Sequence, residues 1–133
     1  GSPFEPVTVA GVTHTVAQSN NSYIFPGVGL GVIAGGARRV TEEMLMAAAH
    51  ALAGTVDARE PGDSLMPPLA EIRSVSRIIA LAVAAEAQRQ GLAPSTTSAE
   101  LEAAIDATMW EPEYRPYLPV DEDERHEHGH VSA

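Results

Sequence analysis

Apolar residues recur at helical spacing in four stretches of the chain, and one short stretch ahead of them alternates like a strand. Val7-Thr8-Val9 and Val12-Thr13-His14-Thr15-Val16 flank Gly11. β-Branched residues alternating around a glycine predict a short extended or hairpin segment, too small to hold unless it packs on something else. From Asn21 to Gly36 the pattern changes: Gly27, Gly31 and Gly35 recur every fourth residue, with Ile24, Phe25, Val28, Leu30, Val32 and Ile33 around them. On a helix these glycines form one smooth stripe. Each costs about 0.8–1.0 kcal/mol relative to alanine in a helix interior, so three in register predict a second backbone lying close along that face. Pro26 falls in the first turn, where its missing N–H is no loss. The helix is apolar on nearly every side and is therefore expected to be buried in its native setting.

Thr41 is placed to cap a second helix, with Glu42 and Glu43 in its first turn and an apolar face of Met44, Leu45, Ala48 and Leu52 ending at Gly54. Residues 55–68, with Pro61-Gly62 and Pro67-Pro68, form a connector. The clearest helix runs from Leu69 to Gln90. Ile72, Val75, Ile79, Ala82 and Val83 lie on one stripe, Arg73, Arg77, Glu86 and Arg89 lie off it, and Gly91 is the stop. Thr97-x-x-Glu100 has the form of a capping box opening a short helix through Leu101 and Ile105 to about Met109. Residues 110–120 are aromatic and proline-rich, as in a surface strap, and the charged remainder has a disordered composition. No internal repeat is present. The predicted fold is mainly α: a short β-like opening segment followed by about four helices.

Composition narrows the chemistry. A formal net charge of −10 argues against nucleic acid or an anionic membrane as partner, although Asp121-Glu122-Asp123-Glu124 concentrates part of it in the tail. The longest apolar runs fall well short of the roughly 20 residues that span a bilayer. Absence of cysteine rules out disulfides and thiol chemistry and fits a cytoplasmic location. All eight basic residues are arginine, so no lysine is present to act as base, Schiff-base former or phosphate ligand.

The strongest candidate site is Gln18-Ser19-Asn20-Asn21-Ser22-Tyr23-Ile24-Phe25-Pro26-Gly27. Asparagine carries a donor and an acceptor on a short uncharged arm, which suits orienting a carboxylate or a carboxamide. On composition alone, the same residues read better as an N-cap followed by a turn residue. Gly27-x-Gly29-x-Gly31 lacks the spacing and the preceding strand of a dinucleotide fingerprint, so helix packing accounts for it better. His126, His128 and His130 alternate beside Glu124 and Glu127, but a solvated tail offers no fixed geometry for a metal. Arg38-Arg39 follows a helix end, where cations complement the dipole. His14 and His50 sit in ordinary amphipathic surroundings.

The asparagine segment, with Gly1-Ser2-Pro3-Phe4 upstream and Leu30-Gly31 downstream, resembles the carboxyl-terminal part of malic enzymes. The likeness continues through Ala37-Arg38-Arg39, Thr41-x-Glu43-Met44, Pro67-Pro68-Leu69 and Ile72-Arg73-x-Val75-Ser76. It extends more faintly to Trp110-Glu111-Pro112-Glu113-Tyr114, covering about residues 1–118. The connector at 55–66 matches loosely and residues 119–133 not at all.

The resemblance implies the helical C-terminal part of an α/β, Rossmann-type enzyme that oxidatively decarboxylates (S)-malate to pyruvate and CO2. NAD or NADP and Mg2+ or Mn2+ would be its cofactors. It implies that Asn20 and Asn21 contact the malate carboxylate and the nicotinamide end of the cofactor. Residues 1–20 would be an extended segment ending at the active-site loop, residues 21–118 the helical part of the NAD(P)-binding and catalytic region, and residues 119–133 an acidic tail. The family's lysine base cannot lie here, Tyr23, Tyr114 and Tyr117 fall outside the position of its tyrosine acid, and no acidic cluster has hard-metal spacing. The expectation is thus a piece that begins in the middle of the enzyme, inactive alone and lacking an N-terminal part. The complete protein would be a homo-oligomer, with no nucleic-acid or membrane partner. The alternatives are a non-catalytic helical interaction module and an inactive fragment, and the upstream reading frame separates them.

Overall fold

In the computed structural model, which describes residues 4–114, the opening segment is the expected hairpin. Strands β1 (Val7–Val9) and β2 (Val12–His14) pair antiparallel, with Val7 opposite His14, Thr8 opposite Thr13 and Val9 opposite Val12. Ala10 (φ 49°) and Gly11 (φ 81°) both take the positive φ of a two-residue turn whose twist matches the strands. Both strands are largely exposed, and they dock on the connector. The Thr15 N–H donates to the Gly62 carbonyl at 3.2 Å. Gly62 passes so close that a Cβ there would lie 2.5 Å from the Thr13 carbonyl oxygen.

A 3-10 turn (Asn21–Tyr23) leads into helix α1 (Phe25–Gly35), followed by α2 (Glu42–Ala53), a 3-10 turn (Leu69–Glu71), α3 (Ile72–Arg89) and α4 (Ser98–Thr108). Local chemistry sets the ends. Gly36, at φ 66°, closes α1, with the Ala37 N–H donating to the Val32 carbonyl and the Gly36 N–H to that of Ile33. The Thr41 hydroxyl accepts from the Met44 N–H at the start of α2. Thr97 and Glu100 form the predicted reciprocal box at the start of α4.

α3 is the central helix and packs on α1, α2 and α4. Its burial is therefore wider than one stripe: Val75, Ile79, Val83 and Ala87 join Met44 and Ala48 of α2 in the main core, while Ala80 and Ala84 meet Leu101 and Ile105 of α4. Fully burying a residue such as Ile79 contributes about 1.5–3 kcal/mol. Arg77 spans the α3–α4 surface to Asp106, with Nε–Oδ1 at 2.6 Å and Nη2–Oδ2 at 2.9 Å. This raises the guanidinium pKa further and lowers that of the Asp106 carboxyl.

The glycine stripe makes the predicted close approach. A Cβ at Gly27 would lie 2.6 Å from Ile79 Cβ, one at Gly31 2.6 Å from the Ala80 carbonyl oxygen, and one at Gly35 2.9 Å from Ala84 Cβ. Gly27, Gly31 and Gly35 thus run along α3 at the same four-residue repeat, Gly27 against Ile79 and the Ser76 carbonyl, Gly31 against Ala80 and Val83, and Gly35 against Ala84.

The burial expected of α1 in its native setting is met only in part by the described residues: Phe25 is 73% exposed and Ile33 72%, because only the glycine face and its flanks have a partner among them. Leu45 is 48% exposed rather than part of the α2 core. It shares with Phe25, Ile33 and Val40 an open apolar groove of about 520 Å³. The expected strap at 110–120 is described only to Tyr114, and the tail histidines lie outside the described residues. No helix among these residues is long and apolar enough to cross a membrane.

Candidate functional site around the asparagine turn

Asn20 has extended backbone (φ −146°, ψ 142°) and caps the 3-10 turn, its Oδ1 accepting from the Ser22 N–H at 2.9 Å. The Asn20 carbonyl accepts from the Tyr23 N–H at 3.2 Å, and the Asn21 carbonyl from the Ile24 N–H at 3.0 Å. The composition-based expectation of a cap followed by a turn residue therefore describes the backbone correctly. The cap serves the 3-10 turn rather than α1, whose own first residue follows Ile24 without a side-chain cap.

Capping does not exhaust the chemistry of either residue. It uses the side-chain carbonyl oxygen of Asn20 and leaves the NH2 group of the amide out of the cap. An NH2 group is what a carboxylate needs, since a carboxylate only accepts hydrogen bonds. The Asn21 side chain is exposed and makes no hydrogen bond among the described residues. Both asparagines are thus presented outward from a fixed backbone.

Two contacts far apart in sequence fix that backbone. Tyr23 is buried, and its hydroxyl donates to the Pro67 carbonyl at 2.7 Å, across 44 residues. Four residues further on, Gly27 seats against Ile79 and the Ser76 carbonyl. The turn is clamped to the connector on one side and to α3 on the other.

Beside it lies a cleft of about 290 Å³, lined by Ser22 and Leu30 on one side, Arg73 and Ser76 of α3 beneath, and Met109 and Trp110 after α4. Arg73 donates from Nη1 to the Trp110 carbonyl at 2.9 Å and from Nη2 to Glu111 Oε1 at 2.6 Å. The sequence reading missed Tyr23 as an anchor and Arg73, Ser76 and Trp110 as cleft residues. Only the position of Tyr23 inside the asparagine motif signalled any of them.

The fit to the implied cofactors is uneven. The asparagine amides suit a carboxylate or the nicotinamide carboxamide. For a metal the fit fails here: among the described residues no three His, Asp or Glu side chains gather closely enough to hold an ion. Strongly shifted titrations lie elsewhere. Hydrogen bonds from Arg89 and then Gln90 take the Glu86 carboxyl down to about 2, and the backbone N–H and hydroxyl of Thr97 lower that of Glu100.

Residues 1–88 match the family model described as "Malic enzyme, NAD binding domain". Proteins named NAD-dependent malic enzyme are similar over 118 residues, 88% of this chain: 57% identical in Proteus mirabilis, 56% in Pseudomonas syringae pv. tomato and 52% in Cronobacter sakazakii. The chain spans about a fifth of the length of these relatives, 21% in each. With the family's domain matched over most of the chain and identity above one half, this chain belongs to the malic enzyme family.

Proposed function

We propose that this chain is the carboxyl-terminal part of an enzyme that oxidatively decarboxylates malate to pyruvate and CO2, with Asn20 and Asn21 orienting substrate and nicotinamide. The identity to NAD-dependent malic enzymes carries the reading, and it favours NAD over NADP. The nicotinamide, held beside Asn20 and Asn21, would supply the hydride acceptor for malate oxidation. The residues of this chain position rather than transfer. The amide NH2 groups of Asn20 and Asn21 supply donors to the malate carboxylate and the nicotinamide carboxamide, on a backbone held by the cap, the Tyr23–Pro67 bond and the glycine seam.

In this proposal residues 1–20 lead to the active-site loop, residues 21–118 complete the NAD-binding region and residues 119–133 form a tail. The lysine base, tyrosine acid and Mg2+ or Mn2+ ligands belong to an N-terminal part of a cytoplasmic homo-oligomer.

The test uses the complete enzyme. Asn20→Asp keeps a capping acceptor but replaces the NH2 donors with a carboxylate, so thermal stability should hold while kcat/KM falls. Losing one hydrogen bond to a charged carboxylate costs about 1.5–3 kcal/mol, or roughly one to two decades in kcat/KM. Asn21→Ala should show the same kinetic loss with little change in melting temperature, since its side chain has no partner within the described chain. Normal kcat/KM in both variants would leave the pair as turn residues and remove the proposed site.

A further inference from the structure

The cleft beside the asparagine turn has the parts of a ligand site, none of which the malate chemistry uses. Its walls are apolar: Pro26 and Leu30 of α1, Ile72 of α3, and Met109 and Trp110 beyond α4. Besides Ser22 at the rim of the asparagine turn, two polar groups interrupt them. Ser76 is only 5% exposed, yet its hydroxyl has no hydrogen-bond partner among the described residues. No side-chain polar atom fully shut off from solvent lacks a partner there, so this hydroxyl opens into the cleft that it lines. A hydroxyl left unpaired in a nearly buried position is the kind of group that a ligand completes.

The second group is Arg73, a permanent cation with a planar fork of donors suited to a carboxylate. One fork position already holds a carboxylate, that of Glu111 at 2.6 Å. That pair is an exposed one, with side chains 46% and 68% accessible, and such pairs add little to stability. Glu111 therefore occupies the anion position in a way that an incoming carboxylate can exchange.

We propose that this cleft binds a small carboxylate with an apolar body. Its carboxylate displaces Glu111 on Arg73 and hydrogen-bonds the Ser76 hydroxyl, and its body lies between Leu30, Ile72 and the Trp110 ring. The volume of about 290 Å³ limits the ligand to small molecules. The same site shares with the asparagine turn Ser22, whose N–H donates to the capping Asn20 Oδ1. The proposal does not depend on the malate reading, because binding is measured without turnover.

The probe is 3-phenylpropionate, with 3-phenylpropionamide as its uncharged isostere, titrated calorimetrically into the complete enzyme without malate or cofactor. The acid should bind at least tenfold more tightly than the amide. Arg73→Gln should weaken the acid at least tenfold at an unchanged melting temperature, whereas Arg73→Lys, which keeps the charge, should retain part of the affinity. Glu111→Gln, by removing the resident competitor, should tighten binding severalfold. Equal affinity for acid and amide, no binding of either, or wild-type affinity in Arg73→Gln each overturns the proposal.

Discussion

Alanine in place of Gly31 probes the α1–α3 seam directly. A Cβ there would stand 2.6 Å from the Ala80 carbonyl oxygen and 3.0 Å from both Ala80 Cα and Val83 Cβ. Two of these atoms are backbone of the central helix and cannot rotate aside, so the helices must separate. Overpacking of this kind costs about 1–3 kcal/mol, offset by the gain of about 0.8–1.0 kcal/mol in helix propensity. The net loss is up to about 2 kcal/mol. Leucine, with more atoms and no additional room, should exceed it. Gly29 supplies the control: it lies on the same helix, and nothing stands within 4 Å of its Cβ position. Alanine there should keep only the propensity gain and stabilise by about 0.8–1.0 kcal/mol. Chemical denaturation of the 133-residue chain should give midpoints in the order Gly29→Ala, wild type, Gly31→Ala, Gly31→Leu. Equal midpoints for the two alanine variants at unchanged m-value would refute the tight seam.

Tyr23→Phe keeps the ring and removes the bond to the Pro67 carbonyl, which should cost about 1–3 kcal/mol. A melting temperature equal to wild type would show that the bond does not anchor the turn. Thr97→Ala removes both hydroxyl bonds of the capping box, leaving the backbone N–H of residue 97 on Glu100, and should destabilise by about 1 kcal/mol, read from the denaturation midpoint, with Thr97→Ser restoring it. Glu86 should make stability acid-sensitive. Its folded-state pKa, about 2, lies below the ordinary 4.5, so its stabilising effect is complete above about pH 4.5 and is lost as pH falls toward 2. Glu86→Gln should flatten that limb of the stability–pH curve, and an unchanged limb would assign the acid sensitivity to other groups.

Wherever one residue's own chemistry decides the backbone, the sequence was sufficient. Thr41, the Thr97–Glu100 pair, and the stops at Gly54 and Gly91 placed helix ends within a residue or two. The four-residue glycine repeat named the face that meets α3 before the partner was known. What covers Phe25, Ile33 and Leu45 was not legible, because hydrophobicity says that a side chain favours cover, not which part of the chain supplies it. The Tyr23–Pro67 bond and the docking of Thr15 on Gly62 join residues 44 and 47 positions apart, which no local pattern encodes. The asparagine pair was found from a family motif and its cap from residue type. The cleft beneath it was not, since Ser22, Arg73 and Trp110 come together only in three dimensions.

The backbone-to-backbone seam also has a mechanical consequence. Ordinary helix pairs are separated by a layer of long side chains that can change rotamer and absorb small displacements. Along Gly27, Gly31 and Gly35 that layer is missing, so α1 and α3 should move as a single strut. At one end of the strut stands the asparagine turn. At the other, past Gly36, Arg38 grips the carbonyl oxygens that follow α3, its N–H on Leu92 at 3.0 Å and its guanidinium on Gly91 at 2.8 Å. A push on that distant corner would therefore arrive at Asn20 and Asn21 nearly undamped, and residues that never touch a ligand could set how accurately the two amides are aimed.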